Sequence, residues 1–275
     1  MRRLRISAIS YLNTAPLMWD FRHGSSAFDI SYTVPSGCAA ELAAGSADIG
    51  IIPAAAFANI PGLAIIPGVA IASKRSVRSI LLVSKVPLGK IQTVALDNSS
   101  LTSVALIQIL FAKWWGGNRQ FVSASPDLRE MLQKNDAALV IGDTALLVDR
   151  SRYITYDLAE EWIQFTRKPF VFAFWAVRQA VLKDFSPDYL TSIFQRSRDN
   201  GLMPESLNEI AREWGPKLNL EETDVKSYLT RNIDYDLDRD CIDGLSLFFE
   251  YAQQCGLLPS PPQLRFLEAE KLAII

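Results

Sequence analysis

Residues 94–111 predict a strand, a polar loop and an amphipathic helix in direct succession. The stretch begins with the apolar run 94–96 and continues with the polar loop Asp97-Asn98-Ser99-Ser100. Apolar residues then recur at positions 104, 106, 107, 110 and 111. Side chains at that spacing share one face of a helix. A strand that runs through a short loop into a helix is the building unit of α/β folds, so this stretch predicts an α/β protein.

Four hydroxyl side chains lie at the predicted start of this helix: Ser99, Ser100, Thr102 and Ser103. The first turn of a helix has backbone N–H groups without partners and carries the positive end of the helix dipole. An ordinary helix cap needs one hydroxyl rather than four. The cluster therefore permits two interpretations, a simple cap or a cradle for a carboxylate or phosphate.

Length and charge favour a two-domain protein that acts on a small molecule. The chain has 275 residues, of which 49% are hydrophobic, and exceeds the usual size of a single domain. Its formal net charge is −2, and Lys and Arg are scattered along the chain. A nucleic-acid binder usually shows a clustered basic surface, so we expect no nucleic-acid partner.

The cysteines and the N-terminus indicate a cytoplasmic protein. Cys38, Cys241 and Cys255 are odd in number and have no CxxC spacing, which argues against a disulfide framework and a metal site. The first apolar run is broken by Ser7 and Ser10, so it fits a first strand better than a signal peptide. No apolar stretch approaches the length of a membrane-spanning helix. We expect no membrane association, and either a monomer or a homodimer.

Similar strand and helix segments recur in both halves of the chain. Apolar segments near 4–9, 28–34, 47–53 and 65–71 precede residue 90, and a second series includes 120–122 and 137–141. From residue 181 onward the pattern is helical. This order predicts two βα lobes, with residues 1–90 plus 180–275 in lobe one and 91–179 in lobe two. Two connections between such lobes form a double hinge that can close a cleft on a ligand.

Three polar residues are candidates for that cleft, each with a structural alternative. Asn13 follows the first strand and either orients a ligand group or caps the helix that Pro16 begins. Ser79 either faces the cleft or is an ordinary strand serine. Asp143 ends a strand and is either an acid/base group or a second cap. The aromatic strand 169–177 is expected in the core, although one of its rings could form the floor of a pocket.

Five segments in a fixed order resemble the chorismate dehydratase family of the futalosine route to menaquinone. The match extends from the first strand to about residue 178. The segments are S-Y-L-N-T-A-P-L from residue 10, V-R-S-I from 77, D-N-S-S-L-T-S from 97, I-G-D from 141, and W-x3-T-x2-P-x-V-F-A-x-W from 162. The resemblance implies a type II periplasmic-binding-protein fold used as a cytoplasmic enzyme. It also implies conversion of chorismate into 3-[(1-carboxyvinyl)oxy]benzoate and water, without a cofactor or metal.

The resemblance also implies roles for individual residues. Asn13 would orient the leaving hydroxyl or the enolpyruvyl group, and Ser79 would bind one anionic arm of the substrate. The helix-start hydroxyls would hold the other carboxylate, and the proton acceptor would be Asp143 or the substrate's own carboxylate. The remaining expected substrate contacts are Tyr11 and Gly142. A related family enzyme uses a histidine, but the only histidine here is His23, which is expected at the surface. The alternative function is non-catalytic binding of a small carboxylate by the same cradle.

Overall fold

The computed structural model describes residues 3–23 and 28–267. These residues contain ten strands and eleven α-helices, joined by loops and short 3₁₀ and π-helical turns. The strands are β1 (Leu4–Ile9), β2 (Phe28–Thr33), β3 (Ile49–Pro53), β4 (Leu63–Ser73), β5 (Ile80–Ser84), β6 (Thr93–Asp97), β7 (Gln120–Ala124), β8 (Ala137–Ile141), β9 (Ile154–Asp157) and β10 (Phe170–Arg178). The helices are α1 (Trp19–His23), α2 (Pro35–Ala44), α3 (Ala54–Phe57), α4 (Leu101–Leu110), α5 (Leu128–Lys134), α6 (Gly142–Leu146), α7 (Leu158–Thr166), α8 (Pro187–Gly201), α9 (Pro204–Leu218), α10 (Glu222–Ser227) and α11 (Arg239–Gln254).

The first sheet has the strand order β2-β1-β3-β10-β4. β1 is parallel to β2 and β3, whereas β10 is antiparallel to β3 and β4. All five residues of β3 and the first eight of β10 are buried, because these strands lie inside the sheet. Buried central strands of this kind consist of continuous apolar runs rather than alternating patterns. We call this sheet and its helices lobe one.

The second sheet repeats this plan with the order β7-β6-β8-β5-β9. β6 is parallel to β7 and β8, and β5 is antiparallel to β8 and β9. We call this sheet and its helices lobe two. Two α/β lobes of matching construction confirm the expected fold class.

The chain passes between the sheets at residues 74–79 and again at 167–169. The predicted boundaries near 90 and 180 place β5 in lobe one and β10 in lobe two, and the sheet pairings reverse both placements. Both strands are apolar and would be buried in either sheet, so their composition does not select one. The boundaries drawn for lobe one also cover residues 1–2, 24–27 and 268–275, which lie outside the described part.

The predicted helical tail is present as α8 to α11. α8 packs on β4 and α1, and α11 contacts both β10 and α4 of lobe two. The tail also pairs with the outer edge of β4. Ala72 N–H donates to Asp234 O at 2.9 Å, and Ile65 N–H donates to Arg265 O at 2.7 Å. The edge of the first sheet is therefore covered by segments from the end of the chain.

Within these described ranges, no helix is both long and apolar enough to span a bilayer.

Candidate functional site

A narrow cleft with an accessible volume of about 40 Å³ lies between the two lobes. Its walls combine apolar side chains with a few polar groups. Lobe one contributes Ile9, Tyr11, Asn13, Pro35, Pro53, Ile71, Phe172 and Ala173, and lobe two contributes Ile80, Ser100, Ser103, Ile141 and Gly142. Apolar lining with a small number of polar groups is typical of small-molecule sites.

Strand ends place these residues at the cleft. Ile9, Pro53 and Ile141 are the last residues of β1, β3 and β8. Open α/β sheets bind ligands beyond the carboxyl ends of their parallel strands. The two sheets therefore point their ligand-binding edges at the same cleft.

Three backbone N–H groups of lobe one donate hydrogen bonds to lobe two across the cleft. Leu12 N–H donates to Asp143 Oδ1 at 3.0 Å, and Ala55 N–H donates to Thr102 Oγ1 at 3.1 Å. Ser36 N–H donates to Ser99 O at 3.0 Å. Each donor lies in the first turn of a helix, where N–H groups have no partner inside the helix. These bonds hold the lobes in a closed arrangement.

Asn13 lines the cleft, but it does not cap a helix. It lies in the 3₁₀ turn Leu12–Thr14, which is followed by a second 3₁₀ turn, Pro16–Met18, and then by α1. The neighbouring Thr14 hydroxyl does not cap this helix either, because its Oγ1 donates to the carbonyl oxygens of Ile9 and Tyr11. Asn13 is 9% exposed, and its Oδ1 has no hydrogen-bond partner within residues 3–23 and 28–267. A buried acceptor without a partner is costly unless a ligand satisfies it.

Ser79 lies behind the cleft wall rather than in it. It is fully buried, and its Oγ accepts a hydrogen bond from the Tyr228 hydroxyl at 2.8 Å. Its carbonyl oxygen accepts from Gly142 N–H at 2.8 Å. Tyr228 was not among the predicted site residues, because the tail shows only the pattern of amphipathic helices. Ser79 therefore joins the tail to the turn that follows β8.

The hydroxyl cluster at the start of α4 divides into two pairs. Ser100 and Ser103 line the cleft, and Ser100 Oγ caps α4 by accepting from Ser103 N–H at 3.3 Å. Thr102 and Ser99 are committed to other contacts: Thr102 accepts from Ala55, and the Ser99 hydroxyl donates to Asp97 Oδ1 at 2.5 Å. The ordinary cap is thus present, and two of the four hydroxyls also line the cleft.

Tyr11 lies close enough to the carboxylates of Asp97 and Asp143 for both to affect its pKa. Burial raises the pKa of Tyr11, hydrogen bonding with Ser99 lowers it, and the carboxylates of Asp97 and Asp143 raise it further. Asp97 is 1% exposed, and burial raises its pKa although the Ser99 hydroxyl and N–H oppose this shift. Tyr11 therefore remains a neutral hydrogen-bonding group at neutral pH.

Gly142 and Asp143 follow β8, and Gly142 lines the cleft whereas Asp143 is not among the lining residues. Asp143 does not cap α6; its Oδ1 accepts from Leu12 in the other lobe. Burial raises the pKa of Asp143 to about 6, and the Leu12 hydrogen bond opposes that shift. Gly142 has φ +61°, and a Cβ there would come within 2.8 Å of the Tyr11 ring. Glycine is therefore required both by the backbone conformation and by the close approach of Tyr11.

The aromatic motif that begins at Trp162 builds the second crossing between the lobes. Trp162 Nε1 donates to Pro169 O at 3.1 Å, and Thr166 Oγ1 donates to Trp162 O at 2.8 Å. Phe172 of the same segment lines the cleft, as the alternative interpretation of this strand allowed.

His23 is exposed and contacts Trp19 and Glu209 away from the cleft, which confirms the predicted surface position.

Neutral groups dominate the polar lining of the cleft. The lining residues all belong to the described ranges and include no Lys, Arg or His. Residues 3–23 and 28–267 also contain no group of three or more His, Cys, Asp or Glu side chains arranged to hold a metal ion. An anion in the cleft would contact hydroxyl, amide and helix-end N–H groups.

Solved structures share this fold over almost the whole chain. A protein from Archaeoglobus fulgidus has a TM-score of 0.72 and 15% identity, with 93% of this chain and 98% of that chain covered. The periplasmic aliphatic sulphonate binding protein SsuA from Escherichia coli has a TM-score of 0.66 and 14% identity, with 100% and 96% covered. These similarities show the periplasmic-binding-protein fold.

Sequence comparison identifies the family. The chorismate dehydratase of Thermus thermophilus is 28% identical over 268 residues, which cover 91% of this chain and 95% of that protein. A family model described as menaquinone biosynthesis matches residues 4–254. With that match over nearly its full length, the chain belongs to the menaquinone biosynthesis family.

Proposed function

We propose that this protein is a chorismate dehydratase, a carbon–oxygen hydro-lyase that converts chorismate into 3-[(1-carboxyvinyl)oxy]benzoate and water. The similarity to the Thermus thermophilus enzyme supports the substrate. The observation that carries the proposal in the structure is the buried, unpartnered Oδ1 of Asn13 in a cleft whose polar lining is neutral.

The reaction requires little from the protein apart from positioning. One ring C–H bond and the C–O bond of the ring hydroxyl break, the C–H electron pair completes an aromatic ring, and the proton and hydroxide leave as water. Formation of the aromatic ring makes the elimination strongly favourable. Preorganised neutral hydrogen-bonding groups in a dry site stabilise the charge that develops in the transition state.

Asn13 would accept a hydrogen bond from the hydroxyl of the ring or orient the enolpyruvyl group through its amide. Ser100 and Ser103, at the positive end of α4, would hold one substrate carboxylate. Ser99 and Thr102 would support that cradle through Asp97 and Ala55. Ser79 would support binding of the second anionic arm from behind the cleft wall. Tyr11 and Gly142 would contact the ring of the substrate.

Asp143 is the protein group we propose as proton acceptor. Its pKa of about 6 leaves it ionised at neutral pH and more basic than an ordinary carboxylate. The Leu12 hydrogen bond occupies Oδ1, which leaves Oδ2 for the proton. The competing acceptor is the substrate's own carboxylate, and replacement of Asp143 by Asn distinguishes the two.

Free thiols support a reducing compartment for this enzyme. Cys38, Cys241 and Cys255 form no disulfide, and Cys38 and Cys241 are buried. Reduced thiols are typical of cytoplasmic proteins, so we place the reaction in the cytoplasm.

The direct test mixes the purified protein with chorismate in the absence of metal and nucleotide. Loss of the diene absorbance, with an aromatic product lighter by one water in the mass spectrum, is the expected result. If chorismate persists at high enzyme concentration but binds saturably, the protein is a carboxylate-binding protein. If chorismate neither reacts nor binds, the substrate assignment is wrong.

A further inference from the structure

A second pocket lies on lobe one beside the cleft, and its accessible volume is about 300 Å³. We call it the outer pocket. It shares Ile9 and Tyr11 with the lining of the cleft, so Tyr11 borders both spaces. Its other walls come from α1, β2 and α9. Three aromatic and three charged side chains line it: Tyr11, Tyr32, Trp214, Arg22, Glu213 and Lys217.

The outer pocket is large enough for a small molecule, whereas the closed cleft is not. The cleft has an accessible volume of about 40 Å³. Small-molecule sites typically have about 300–1,000 Å³. A substrate that meets the closed protein therefore contacts the rim of the cleft first. The outer pocket is a space of sufficient volume at that rim.

The outer pocket also supplies the cationic groups that are missing from the described lining of the cleft. Glu213 Oε2 accepts from Arg22 Nη2 at 2.8 Å, and Glu213 Oε1 accepts from Lys217 Nζ at 2.7 Å. Glu213 and Lys217 share one face of α9 because they are four residues apart. Two cations thus share one carboxylate, and positive charge is in excess at the pocket. Chorismate has two carboxylates, which such an excess attracts.

The charged groups of the outer pocket are accessible to a ligand. The side chain of Lys217 is 54% exposed, and those of Arg22 and Glu213 are 32% and 31% exposed. Exposed ion pairs contribute little to stability, so a ligand carboxylate can replace Glu213 at small cost. The planar guanidinium of Arg22 can bind such a carboxylate through two parallel hydrogen bonds.

The aromatic side chains provide the apolar part of the outer pocket. Tyr32 is 50% exposed, and the Lys217 Nζ lies 5.0 Å from the centre of the Trp214 ring. Aromatic faces of this kind pack against a cyclic ligand. The pocket therefore combines surfaces for a ring with cations for a carboxylate.

We propose that the outer pocket is a second binding site, for small cyclic carboxylates, at which Arg22 and Lys217 hold the substrate before it enters the cleft. That the substrate is chorismate rests on the proposed function. Glu213 weakens the site, because it competes with the ligand for both cations. The site increases association of the substrate and takes no part in the chemical step, so its residues affect kcat/KM rather than kcat.

The test compares Glu213→Gln with Lys217→Gln. At low ionic strength, Glu213→Gln should raise kcat/KM for chorismate about twofold or more, and Lys217→Gln should lower it by a similar factor, because the substrate is attracted by positive charge. Both differences should shrink at high ionic strength, where exposed charges are screened. If the ion pairs were only structural, both variants would lose activity. A lowered or unchanged kcat/KM in Glu213→Gln would therefore overturn the inference.

Glu130→Gln and Lys134→Gln are the matched controls. They make the same changes of charge at exposed positions of α5, in lobe two. We expect both to retain the wild-type kcat/KM. If they shift it as much as the outer-pocket variants do, the net charge of the protein is responsible and the inference is wrong.

A second measurement does not depend on turnover. Isophthalate, an aromatic ring with two carboxylates, is titrated into the protein while tryptophan fluorescence is recorded. Binding draws Lys217 away from the Trp214 ring, so we expect a saturable change that is absent in Trp214→Phe. The affinity should be higher in Glu213→Gln and lower in Lys217→Gln.

This titration separates the second site from the proposed function. If the wild type fails to convert chorismate, the proposed function is wrong, while binding of isophthalate still decides whether the outer pocket is a carboxylate site. A signal that persists in Trp214→Phe would place the ligand elsewhere. That result, or no saturable signal in the wild type, would overturn the inference.

Discussion

The carboxylate of Asp143 in lobe two accepts a hydrogen bond from the backbone N–H of Leu12 in lobe one, with 3.0 Å between Oδ1 and N. Leu12 immediately precedes Asn13, so this bond fixes the turn that presents the Asn13 amide to the cleft. Closure of the lobes and placement of the proposed catalytic amide therefore depend on the same contact.

Asp143→Asn should change how stability depends on pH. Burial raises the pKa of Asp143 from 3.8 to about 6, so the folded protein binds this proton more tightly than the unfolded chain. The stabilisation is complete below pH about 4 and is lost as the pH rises through about 6. A shift of this size corresponds to roughly 3 kcal/mol. Asn can still accept from Leu12, so the variant should become more stable relative to the wild type as the pH rises, which urea unfolding at two pH values measures.

Asp149→Asn is the control for that experiment. Hydrogen bonds from Ser151 lower the pKa of Asp149, so its contribution is present at neutral pH and is lost on acidification. The pH trend of Asp149→Asn should have the opposite sign. A stability difference for Asp143→Asn that stays constant with pH would contradict the raised pKa.

Asp143→Asn should also reduce turnover of chorismate. A positioned general base typically contributes about 100-fold or more to the rate. The wild-type kcat/KM should rise with pH through about 6, because the ionised carboxylate is the active form. Steady-state kinetics across this range measure both effects. Near-wild-type activity in the variant would instead assign the proton transfer to the substrate's own carboxylate.

Asn13→Ala should lower kcat/KM by about 100-fold, since a preorganised hydrogen-bonding group in a dry site commonly has this effect. The exposed amide of Asn118 provides the control, and Asn118→Ala should retain full activity. Kinetics and thermal unfolding of both variants separate catalysis from folding. A loss of less than about threefold, or roughly 0.7 kcal/mol, would remove Asn13 from its proposed role.

Gly142→Ala should destabilise the protein and disturb the cleft. The alanine would have an unfavourable backbone φ of +61°, and its Cβ would approach the Tyr11 ring to 2.8 Å. Gly256→Ala is the matched control, because Gly256 has φ +71° and open space around it. Both variants carry backbone strain of about 1–2 kcal/mol. Only Gly142→Ala should lose chorismate affinity, as measured by KM. Equal KM values in the two variants would show that Tyr11 tolerates the added methyl group.

Thr102→Val should weaken closure of the lobes while keeping the shape of the side chain. It leaves the Ala55 N–H without its acceptor across the cleft, which costs about 1–3 kcal/mol if the group stays buried. We expect the variant to open, and small-angle scattering without ligand should give a larger radius of gyration than in the wild type. Thr230→Val, at an exposed position where the hydroxyl bonds only within its own helix, should leave the radius unchanged. Equal radii of gyration for all three proteins would show that the hydrogen bond between Ala55 and Thr102 does not keep the lobes closed.

Much of this architecture follows from local sequence patterns. The apolar runs of β1, β3, β6 and β8 and the polar loops after them predict strands whose ends meet at a ligand site. Residues 97–103 predict the start of α4 at the cleft, where Ser100 and Ser103 are found. These features are local, because strand burial and helix capping depend on neighbours in the sequence.

Features that depend on distant partners could not be predicted in this way. The five residues of β5 are buried in the second sheet, but the same apolar sequence would suit the first. The residues at which helix α4 changes to the π-helical turn Phe111–Trp115 have no distinguishing pattern. Tyr228 has the sequence environment of a core residue, and only the tertiary fold brings it to Ser79, 149 positions earlier.

The division of the chain between the sheets has a consequence for folding during synthesis. All five strands of the second sheet lie between residues 80 and 157, so this sheet can form as soon as that continuous segment has left the ribosome. The first sheet must wait for β10, and the edge of β4 waits for Asp234 and Arg265. The lobe that begins first is therefore completed last, and the cleft is formed only when nearly the whole chain has been made.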